Sequence, residues 1–538
     1  MSEAPTASPS GVSLEIYRNL FSALAEEMGA ALRRAAHSPN IKERRDYSCA
    51  LFSPLGQPVA MGDHMPVHLG AMPMSVSKAL ETLGALAAGD VACVNDPFQG
   101  GTHLPDITLV SPVFMGEVLL GYVASRAHHA DVGGIAPGSM PLAREIVQEG
   151  LRIPPIRLVR EGVMEPDLLR LILANVRTPE ERRGDLEAQL ASLHTGSRRL
   201  REMAEGRGSQ AVLQAMDELL EYADRLLGEG LARIPAGSYS GEDWMEDDGF
   251  GHGPVRIQVK VTILPGGRAV VDFHGSSPQV PGGINAVGAI THSATRYVLR
   301  CLAEALLGLP LPAGGGSMER VDLRLPPGSV VNARFPASVA AGNVETSQRI
   351  TDVLFRAMAP ALPNLIPALS QGTMNNLTVG GLDLHGSPFA YYETAGGGMG
   401  GGPQGPGLSG VHTHMSNSLN TPVEALEHAY PFRLIRYGIR KGSGGGGKHP
   451  GGDGLERELE LLVGATVTIL SERRAQGPSG LAGGKAGAPG QNALRRNGVE
   501  QPLPGKVTLE AHAGDVIVIR SPGGGGWGSP ASEPPGDP

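Results

Sequence analysis

Cysteine, aromatic residues and long apolar runs are all scarce in this sequence. Cys49, Cys93 and Cys301 are the only cysteines among 538 residues, so neither a disulfide framework nor a cysteine-ligated zinc cluster can form. No run of about 18 apolar residues exists to span a membrane. The opening MSEAPTASPSG has neither the positive start nor the apolar core of a secretory signal. We therefore expect a cytoplasmic protein without a membrane segment.

Positive charge is not in excess either. The formal net charge is -9 and the pI is near 6.0, whereas nucleic-acid binding requires a clustered basic face. We expect no nucleic-acid partner. Hydrophobic residues make up 41% and charged residues 18% of the chain, which is typical of folded proteins.

Hydrophobic periodicity predicts the elements of the first half. An apolar stripe at helical spacing, with Ser13 as its cap, predicts a helix that ends near Pro39. Apolar runs bounded by turn residues predict strands, and alternation across a Pro-Gly-Gly turn predicts a hairpin. The predicted segments are strands at 90–94, 107–114 and 118–124, charged helices within 165–233, and hairpin strands at 256–264 and 269–273.

Glycine is abundant, with 77 Gly and 44 Pro against 4% aromatic residues, and it is densest in the last third of the chain. GGGMGGG at 396–402 is interpreted as a flexible connection in preference to an anion-binding nest. GSGGGGKH at 442–449 imitates a phosphate-binding loop, but His449 replaces the hydroxyl residue that binds magnesium and no clear strand precedes it. A third segment, GGGGWG, occupies 523–528.

Length and composition together predict more than one domain, because a single core rarely exceeds about 300 residues. The predicted fold class is α+β, or mixed α/β, multi-domain and with glycine-rich loops. We predict a disordered leader at 1–12 and an N-terminal domain that carries the candidate site at 13–234. A glycine-rich second part of one or more domains follows at 235–528, and a disordered tail at 529–538.

Potential metal ligands cluster in NDPFQGGTHLPD, 95–106, and SRAHHADVGG, 125–134. His103 and Asp106 can converge from one loop, and His128 lies just beyond the predicted strand at 118–124. Imidazole with carboxylate suits a divalent metal such as Zn, Mn or Fe. Loop histidines and aspartates also cap helices or pair with arginines, but their density here favours a metal or catalytic site. Further such residues in the same stretch are Asp46, His64, His68, Asp96, His129 and Asp131.

Several segments carry a resemblance to a known family. NDPFQGGTHLPDITLVSPVF, MPVHLGAMPMSV, RAHHADVGG, FPASVAAGNVETSQRI and the closing SPGGGGWG resemble successive blocks of the hydantoinase B/oxoprolinase family. The resemblance implies one half of an ATP-dependent enzyme that opens cyclic amides or carboxylates ketones. It also implies a hetero-oligomer, in which ATP is held and the substrate carbonyl is activated by a hydantoinase A-type subunit.

The same resemblance implies a ligand set for the metal: Asp46, His103, Asp106 and His128. His129 and Asp131 are the predicted catalytic groups, acting in proton transfer or in orienting a ligand, and exposed loop residues are the alternative. Asn95, Asp96 and Thr102 are predicted to orient the loop or the substrate, although an Asx turn explains the first two equally well.

The function that follows is a metal-dependent hydrolase subunit acting on the C–N bond of a small cyclic amide such as a hydantoin or 5-oxoproline. A divalent metal would lower the pKa of bound water for this hydrolysis. One alternative is a subunit of an ATP-dependent ketone carboxylase. The other is a scaffold for an A-type ATPase subunit that contributes no chemistry.

Overall fold

Helices and four β-sheets build the part of the chain that the computed structural model describes, residues 11–62, 64–138, 140–312, 314 and 318–530. Of the predicted leader and tail, residues 1–10 and 531–538 lie outside this part. The predicted mixed, multi-domain class is confirmed. None of the described helices is long and apolar enough to cross a bilayer.

The helices cover the sheets and one another. The first helix buries its predicted stripe, including Phe21, Leu24 and Met28, against the fifth. It begins at Gly11, so the predicted cap Ser13 lies inside it. The helices are α1 Gly11–Ala35, α2 Pro39–Lys42, α3 His68–Leu83, α4 Pro166–Ala174, α5 Pro179–Arg207, α6 Ser209–Ala232, α7 Gly288–Leu307, α8 Ser347–Met358 and α9 Val423–Ala429.

A seven-stranded antiparallel sheet forms the centre of the first half. Its order is β2-β1-β5-β4-β3-β6-β7, and the three strands predicted before residue 125 are confirmed within it. The strands are β1 Tyr47–Phe52, β2 Pro58–Met61, β3 Val91–Val94, β4 Asp106–Met115, β5 Val118–His128, β6 Ile156–Arg160 and β7 Val163–Met164.

Both faces of this sheet are covered, which explains why β1 and most of β4 and β5 are buried without alternation. Cys49, Leu51 and Val123 face the core shared with α1 and α5. Phe52 and Ala124 point the other way, into a second cluster with α3. Successive strand residues point to opposite faces, so central strands packed on both sides lose the alternating pattern.

A four-stranded sheet follows, in the order β11-β10-β9-β8. The predicted hairpin is confirmed as β9 and β10, which pair antiparallel from Leu264↔Arg268 outward. Burial alternates along β9 because only one of its faces packs on α8. The strands are β8 Gly237–Met245, β9 Val255–Leu264, β10 Arg268–Asp272 and β11 Val321–Arg324.

Two further sheets build the last third, with orders β13-β12-β16-β19 and β14-β15-β20-β17-β18, around an apolar cluster of their own. The largest cluster instead includes Tyr17 and Ile366 and core residues on both sides of residue 235. The predicted division at 235 stays a prediction. The strands are β12 Asn376–Leu382, β13 Pro388–Glu393, β14 Phe432–Arg440, β15 Gly454–Leu461, β16 Ala465–Leu470, β17 Gln491–Arg496, β18 Val499–Leu503, β19 Lys506–Ala511 and β20 Val516–Arg520.

The three glycine-rich segments pack against one another in what we call the glycine core, residues 396–407, 442–454 and 523–528. Backbone amides and carbonyls pair between segments: the Gly401 amide donates to the Gly525 carbonyl at 2.8 Å and the Gly445 amide to the Gly524 carbonyl at 2.8 Å. A Cβ at Gly524 would lie 2.1 Å from the Met399 carbonyl oxygen of another segment, and within the first segment a Cβ at Gly407 would lie 1.9 Å from the same oxygen. The interpretation of 396–402 as a flexible connection is therefore wrong.

The segment 442–449 belongs to this packing. β14 does precede it, contrary to the expectation that no strand would, but the next described element is β15 and not a helix. His449 pairs with Trp527 through their backbones. A phosphate-binding loop requires a following helix whose N-terminus faces the phosphates, so the exclusion of that motif agrees with the structure.

Candidate metal centre

The pairing of β4 with β5 brings the predicted ligands together. Asp106 and His128 are directly opposite one another in this antiparallel pair. His103 lies in the turn that enters β4, where the Asp106 amide donates to the His103 carbonyl at 3.2 Å. A hairpin thus places three side chains from two sequence segments at one end of the sheet.

The polar atoms of these three residues converge. His103 Nε2 lies 3.1 Å and His128 Nδ1 lies 3.3 Å from Asp106 Oδ1. One ligand atom from each residue falls within 4.8 Å of the others, and no residue of the three is more than 2% exposed. The three side chains form a compact, water-excluded cluster.

Neighbouring groups fix which atoms face the centre of the cluster. Thr102 Oγ1 donates to Asp106 Oδ2 at 2.6 Å, and His68 Nε2 lies 3.3 Å from the same oxygen. On the other side, His103 Nδ1 lies 3.3 Å from the Ala340 carbonyl oxygen. That carbonyl can only accept, so the proton sits on Nδ1 and the Nε2 lone pair points toward Asp106.

The charges of the cluster suit a cation. Burial opposes ionisation of Asp106, but the surrounding imidazoles, His103 foremost, outweigh it and hold the pKa of the carboxyl well below its usual range. Burial lowers the pKa of His68 and of His128. For His103, burial acts in the same direction, but Asp106 prevails and raises the pKa. Metals bind an ionised carboxylate and neutral imidazoles, so metal binding here would displace the proton that Asp106 favours on His103.

The residues fit a divalent metal on geometric grounds. Asp106 Oδ1 and His128 Nε2 are buried without a hydrogen-bond partner among the described residues. Ligands about 2.1 Å from a metal ion stand about 3.0 Å apart in octahedral and about 3.4 Å apart in tetrahedral coordination, and the 3.1 and 3.3 Å separations here fall in this range. A cavity of about 10 Å³ adjoins Asp106 and His128, roughly the space that one water molecule needs.

Asp46, the fourth residue of the predicted set, lines the same cavity. Its carbonyl accepts from the His128 amide at 3.0 Å, and its carboxylate lies 3.7 Å from the Arg44 guanidinium. The carboxylate lies near the three converging side chains, but it is not among the residues whose ligand atoms all lie within 4.8 Å of one another. Its assignment as a ligand stays a prediction.

The site also contains Tyr392 and Asn343, to which the sequence assigned no role, and His68, which it only counted among the potential ligands. The Tyr392 ring stacks on His128 at a centroid distance of 4.4 Å, and Asn343 Nδ2 lies 3.0 Å from His103 Nε2. His68 is held by Ser48 Oγ at 2.8 Å from its Nδ1. His68 and Asn343 fall in two of the segments that carried the family resemblance, which was the available signal.

His129 and Asp131 face away from this cluster. His129 Nε2 contacts Gln189 Oε1 at 2.9 Å, and burial followed by nearby Arg182 lowers its pKa to about 4. Asp131 pairs with the Arg177 guanidinium at 2.9 Å. Adjacent residues at a strand end point to opposite sides, which separates His129 from His128. Both side chains are fully buried, so the exposed-loop alternative is wrong, and their catalytic role stays a prediction.

The three residues predicted to orient loop or substrate serve different contacts. Asn95 braces the backbone, donating to the Leu104 carbonyl at 2.8 Å and accepting from the Ile153 amide at 2.6 Å. Asp96 accepts from the Phe98 amide at 3.0 Å. This contact is the Asx turn that the sequence offered as the alternative to a role in orienting the substrate. Of the three, Thr102 contacts the Asp106 carboxylate directly.

Sequence comparison finds relatives along nearly the whole chain. An uncharacterised protein of Methanocaldococcus jannaschii is 40% identical, covering 96% of this chain and 91% of its own length. 5-Oxoprolinase 1 of Arabidopsis thaliana is 41% identical over 96% of this chain. The chain spans only 42% of that relative's length. A putative B-type D-/L-hydantoinase subunit of Pseudomonas sp. (strain NS671) is 28% identical over 95% of this chain and 89% of its own length.

Solved structures share the fold. The ATP-dependent caprolactamase from Pseudomonas jessenii superposes with a TM-score of 0.89 at 28% identity, covering 98% of this chain and 92% of its own. Nucleotide-free acetone carboxylase superposes with a TM-score of 0.83 over 96% of this chain and 76% of its own, but at 20% identity it shows the fold alone. The profile of the family described as hydantoinase B/oxoprolinase matches residues 10–530, and the chain therefore belongs to the hydantoinase B/oxoprolinase family.

Proposed function

We propose that this chain is the metal-bearing subunit of a cytoplasmic, ATP-dependent cyclic amidase. Its substrate class is a small lactam or hydantoin whose carbonyl has been activated by an ATP-binding subunit of the hydantoinase A type. The observation that carries the proposal is the buried convergence of His103, Asp106 and His128 on one point. The names of the relatives, a 5-oxoprolinase and a putative hydantoinase, supply the class of amide.

The residues divide the work at this site. Asp46, His103, Asp106 and His128 would hold a divalent metal, which when bound polarises a carbonyl oxygen and lowers the pKa of water. Thr102 and His68 hold Asp106 Oδ2, so that Oδ1 stays directed at the metal position. Ala340 holds the proton of His103 on Nδ1. Tyr392 covers one face of His128 and excludes water from it.

A pocket next to the cluster is large enough for such a substrate. It has a volume of about 770 Å³, within the range of roughly 300 to 1,000 Å³ of small-molecule sites. Met65 lines both this pocket and the cavity beside Asp106. Ser48 lines the pocket and contacts His68. We assign this pocket to the amide, with Met65 between it and the metal position.

The proposal includes a partner because the activation step requires nucleotide chemistry. The chain corresponds to 42% of the length of the Arabidopsis 5-oxoprolinase, and we assign the ATP-binding function to a unit equivalent to the remainder. The Pseudomonas relative is itself named as a subunit. A hetero-oligomer of the two units is the proposed active form.

A carboxylase subunit is the second candidate, favoured by the shared fold with acetone carboxylase. In that reaction the same site would bind an activated ketone and carbon dioxide. A scaffold without chemistry is the weaker alternative, because structural packing alone gives no reason to bury an ionised carboxylate among three imidazoles.

Reconstitution tests the proposal. The purified chain is combined with candidate A-type subunits, ATP and one of 5-oxoproline, hydantoin or caprolactam, and ring-opened product and phosphate are measured together. We expect product formation that requires both chains and ATP, and that is absent with His103→Ala. Turnover of a ketone that depends on bicarbonate would select the carboxylase, and metal-free protein that still supports the partner's ATPase would select the scaffold.

A further inference from the structure

Asn343 is a buried amide at the edge of the metal cavity with one half of its hydrogen-bonding capacity unused. The residue is 5% exposed and lines the cavity beside Asp106 and His128. Its Nδ2 lies 3.0 Å from His103 Nε2. Its Oδ1 is buried and has no hydrogen-bond partner among the residues that the structure describes. Buried amide oxygens are rarely left without a partner, because the lost hydration costs about 1 to 3 kcal/mol.

The contact with His103 depends on whether a metal is present. His103 Nδ1 donates to the Ala340 carbonyl, so in the neutral ring Nε2 carries the lone pair. Without a metal, that lone pair can accept from Asn343 Nδ2. Once the lone pair binds a metal, Nδ2 loses its acceptor and the amide gains nothing from this orientation. Rotation of the amide by about 180° exchanges its nitrogen and oxygen at little steric cost and directs Oδ1 at the same point.

The distances allow this exchange. The Asn343 atom nearest His103 Nε2 is 3.0 Å away, and Asp106 Oδ1 is 3.1 Å from the same nitrogen. The distance from Asn343 to His103 therefore matches the distance between the predicted ligands His103 and Asp106. A carboxamide oxygen is an accepted ligand for divalent cations beside carboxylates and imidazoles.

The backbone holds Asn343 in place. It lies in a π-helical turn, Gly342–Thr346, at the start of α8, and such turns often occur at functional sites. A Cβ at Gly342 would lie 1.9 Å from the Asn285 carbonyl oxygen, so the turn is pressed against the neighbouring chain. Ser347 Oγ donates to the Asn343 carbonyl at 2.6 Å. The side chain is presented to the cavity by a segment with little freedom to move.

We propose that Asn343 binds the metal through Oδ1, as a ligand in addition to Asp46, His103, Asp106 and His128. This assignment rests on the metal centre proposed above. It extends the site from the β4–β5 hairpin to a segment more than 200 residues later in the chain. The metal then joins the first sheet to α8, so binding also stabilises the packing between them.

Metal affinity of the full chain, measured by competition of Mn²⁺ with a chelator, tests the proposal without any substrate or partner. Asn343→Leu keeps the volume and removes the oxygen, and we expect at least about tenfold weaker binding, as loss of even an outer hydrogen bond to a ligand costs about 10- to 100-fold. Asn343→Asp keeps an oxygen and cannot donate when ionised. We expect it to bind at least as tightly as the wild type.

The same variants in the Co²⁺-loaded chain report coordination directly. Loss of a ligand in Asn343→Leu is expected to change the visible absorption of the bound Co²⁺. The matched control is Gln348→Leu, which removes a buried amide one turn later that donates to the Thr413 carbonyl and is not among the cavity-lining residues. We expect wild-type affinity and spectrum from it.

The outcomes separate this assignment from the metal centre itself. Wild-type affinity and spectrum in Asn343→Leu would overturn the ligand role while leaving the centre intact. Weak binding in both Asn343→Leu and Asn343→Asp would overturn it in favour of a donor role for Nδ2. Failure of the wild type to bind any divalent metal would overturn the centre, and this inference with it.

Discussion

The metal centre and the glycine core are both densely hydrogen-bonded, but side chains hold the first together and the backbone holds the second. At the metal centre, side chains make the contacts: Thr102 to Asp106, and Asn343 to His103. In the glycine core, backbone groups bond to backbone groups, as between Gly401 and Gly525, and at most of its glycines a neighbouring backbone leaves no room for a Cβ.

This difference separates where substitutions should alter chemistry from where they should alter stability. A side chain at the metal centre can be shortened while the surrounding backbone remains bonded. A methyl group added at a closely packed position of the glycine core, such as Gly407, must displace a backbone carbonyl. We therefore expect function to be sensitive in the first region and folding to be sensitive in the second.

The largest expected effect tests the functional side of the comparison. Asp106→Ala and His103→Ala each remove one of the converging groups, and we expect metal affinity to fall by more than about 100-fold, beyond the effect of losing an outer contact, with loss of turnover. Elemental analysis by mass spectrometry on the purified chain measures the metal. Thermal unfolding should remain cooperative.

His129→Ala is the matched control, because it also empties a buried imidazole position but one that faces Gln189. We expect it to keep its metal. Unchanged metal content in Asp106→Ala would contradict the centre, whereas metal loss in His129→Ala would give that residue a role that its contacts do not suggest.

The next effect tests the structural side. Gly407→Ala places a Cβ 1.9 Å from the Met399 carbonyl oxygen, and we expect the free energy of unfolding to fall by about 3 kcal/mol, the upper range for overpacking. Metal content per folded molecule should not change. The midpoint of urea unfolding measures the change in stability, and elemental analysis measures the metal content.

Gly405→Ala is the control two residues away, since no atom lies within 4 Å of its added Cβ. It should unfold at the wild-type midpoint. Equal midpoints for the two variants would mean that the glycine core can relax, and the contrast between the two regions would fail.

Sequence alone predicted the parts of both regions that depend on near neighbours in the chain. The hairpin of β9 and β10 alternates cleanly, and its turn residues are local. His103 and Asp106 share one turn, and His128 reaches them because two consecutive strands pair. In each case the contact joins two segments that are neighbours in the sequence.

What the sequence did not predict depends on distant segments. Asn343 and Tyr392 reach His103 and His128 across more than 200 residues, and no periodicity records such a contact. A glycine run has the same composition whether it is solvated or packed. Only the adjacent backbones, such as 523–528 beside 396–402, decide between these states, so the flexible interpretation of that run was wrong.

The smallest effect concerns pH. Burial raises the pKa of Glu149 to about 7, although the Ser338 hydroxyl and the Ala340 and Val339 amides oppose it by donating to its carboxyl. Burial likewise raises the pKa of Glu345 to about 7. Because Ala340 also accepts from His103, Glu149 braces the metal centre from behind. The glycine core depends on backbone bonds, which do not titrate.

A carboxyl with a higher pKa in the folded than in the unfolded chain makes the folded state bind more protons between about pH 4.3 and pH 7. The free energy of unfolding should therefore fall as the pH rises through this window and level off above it. Glu149→Gln should make this decrease in the free energy of unfolding smaller by up to about 3 kcal/mol. The part of the decrease that comes from Glu345 should remain. Gly407→Ala should lower stability equally at every pH. Urea unfolding between about pH 5 and pH 8 measures both variants, and an undiminished fall in Glu149→Gln would place the pH dependence elsewhere.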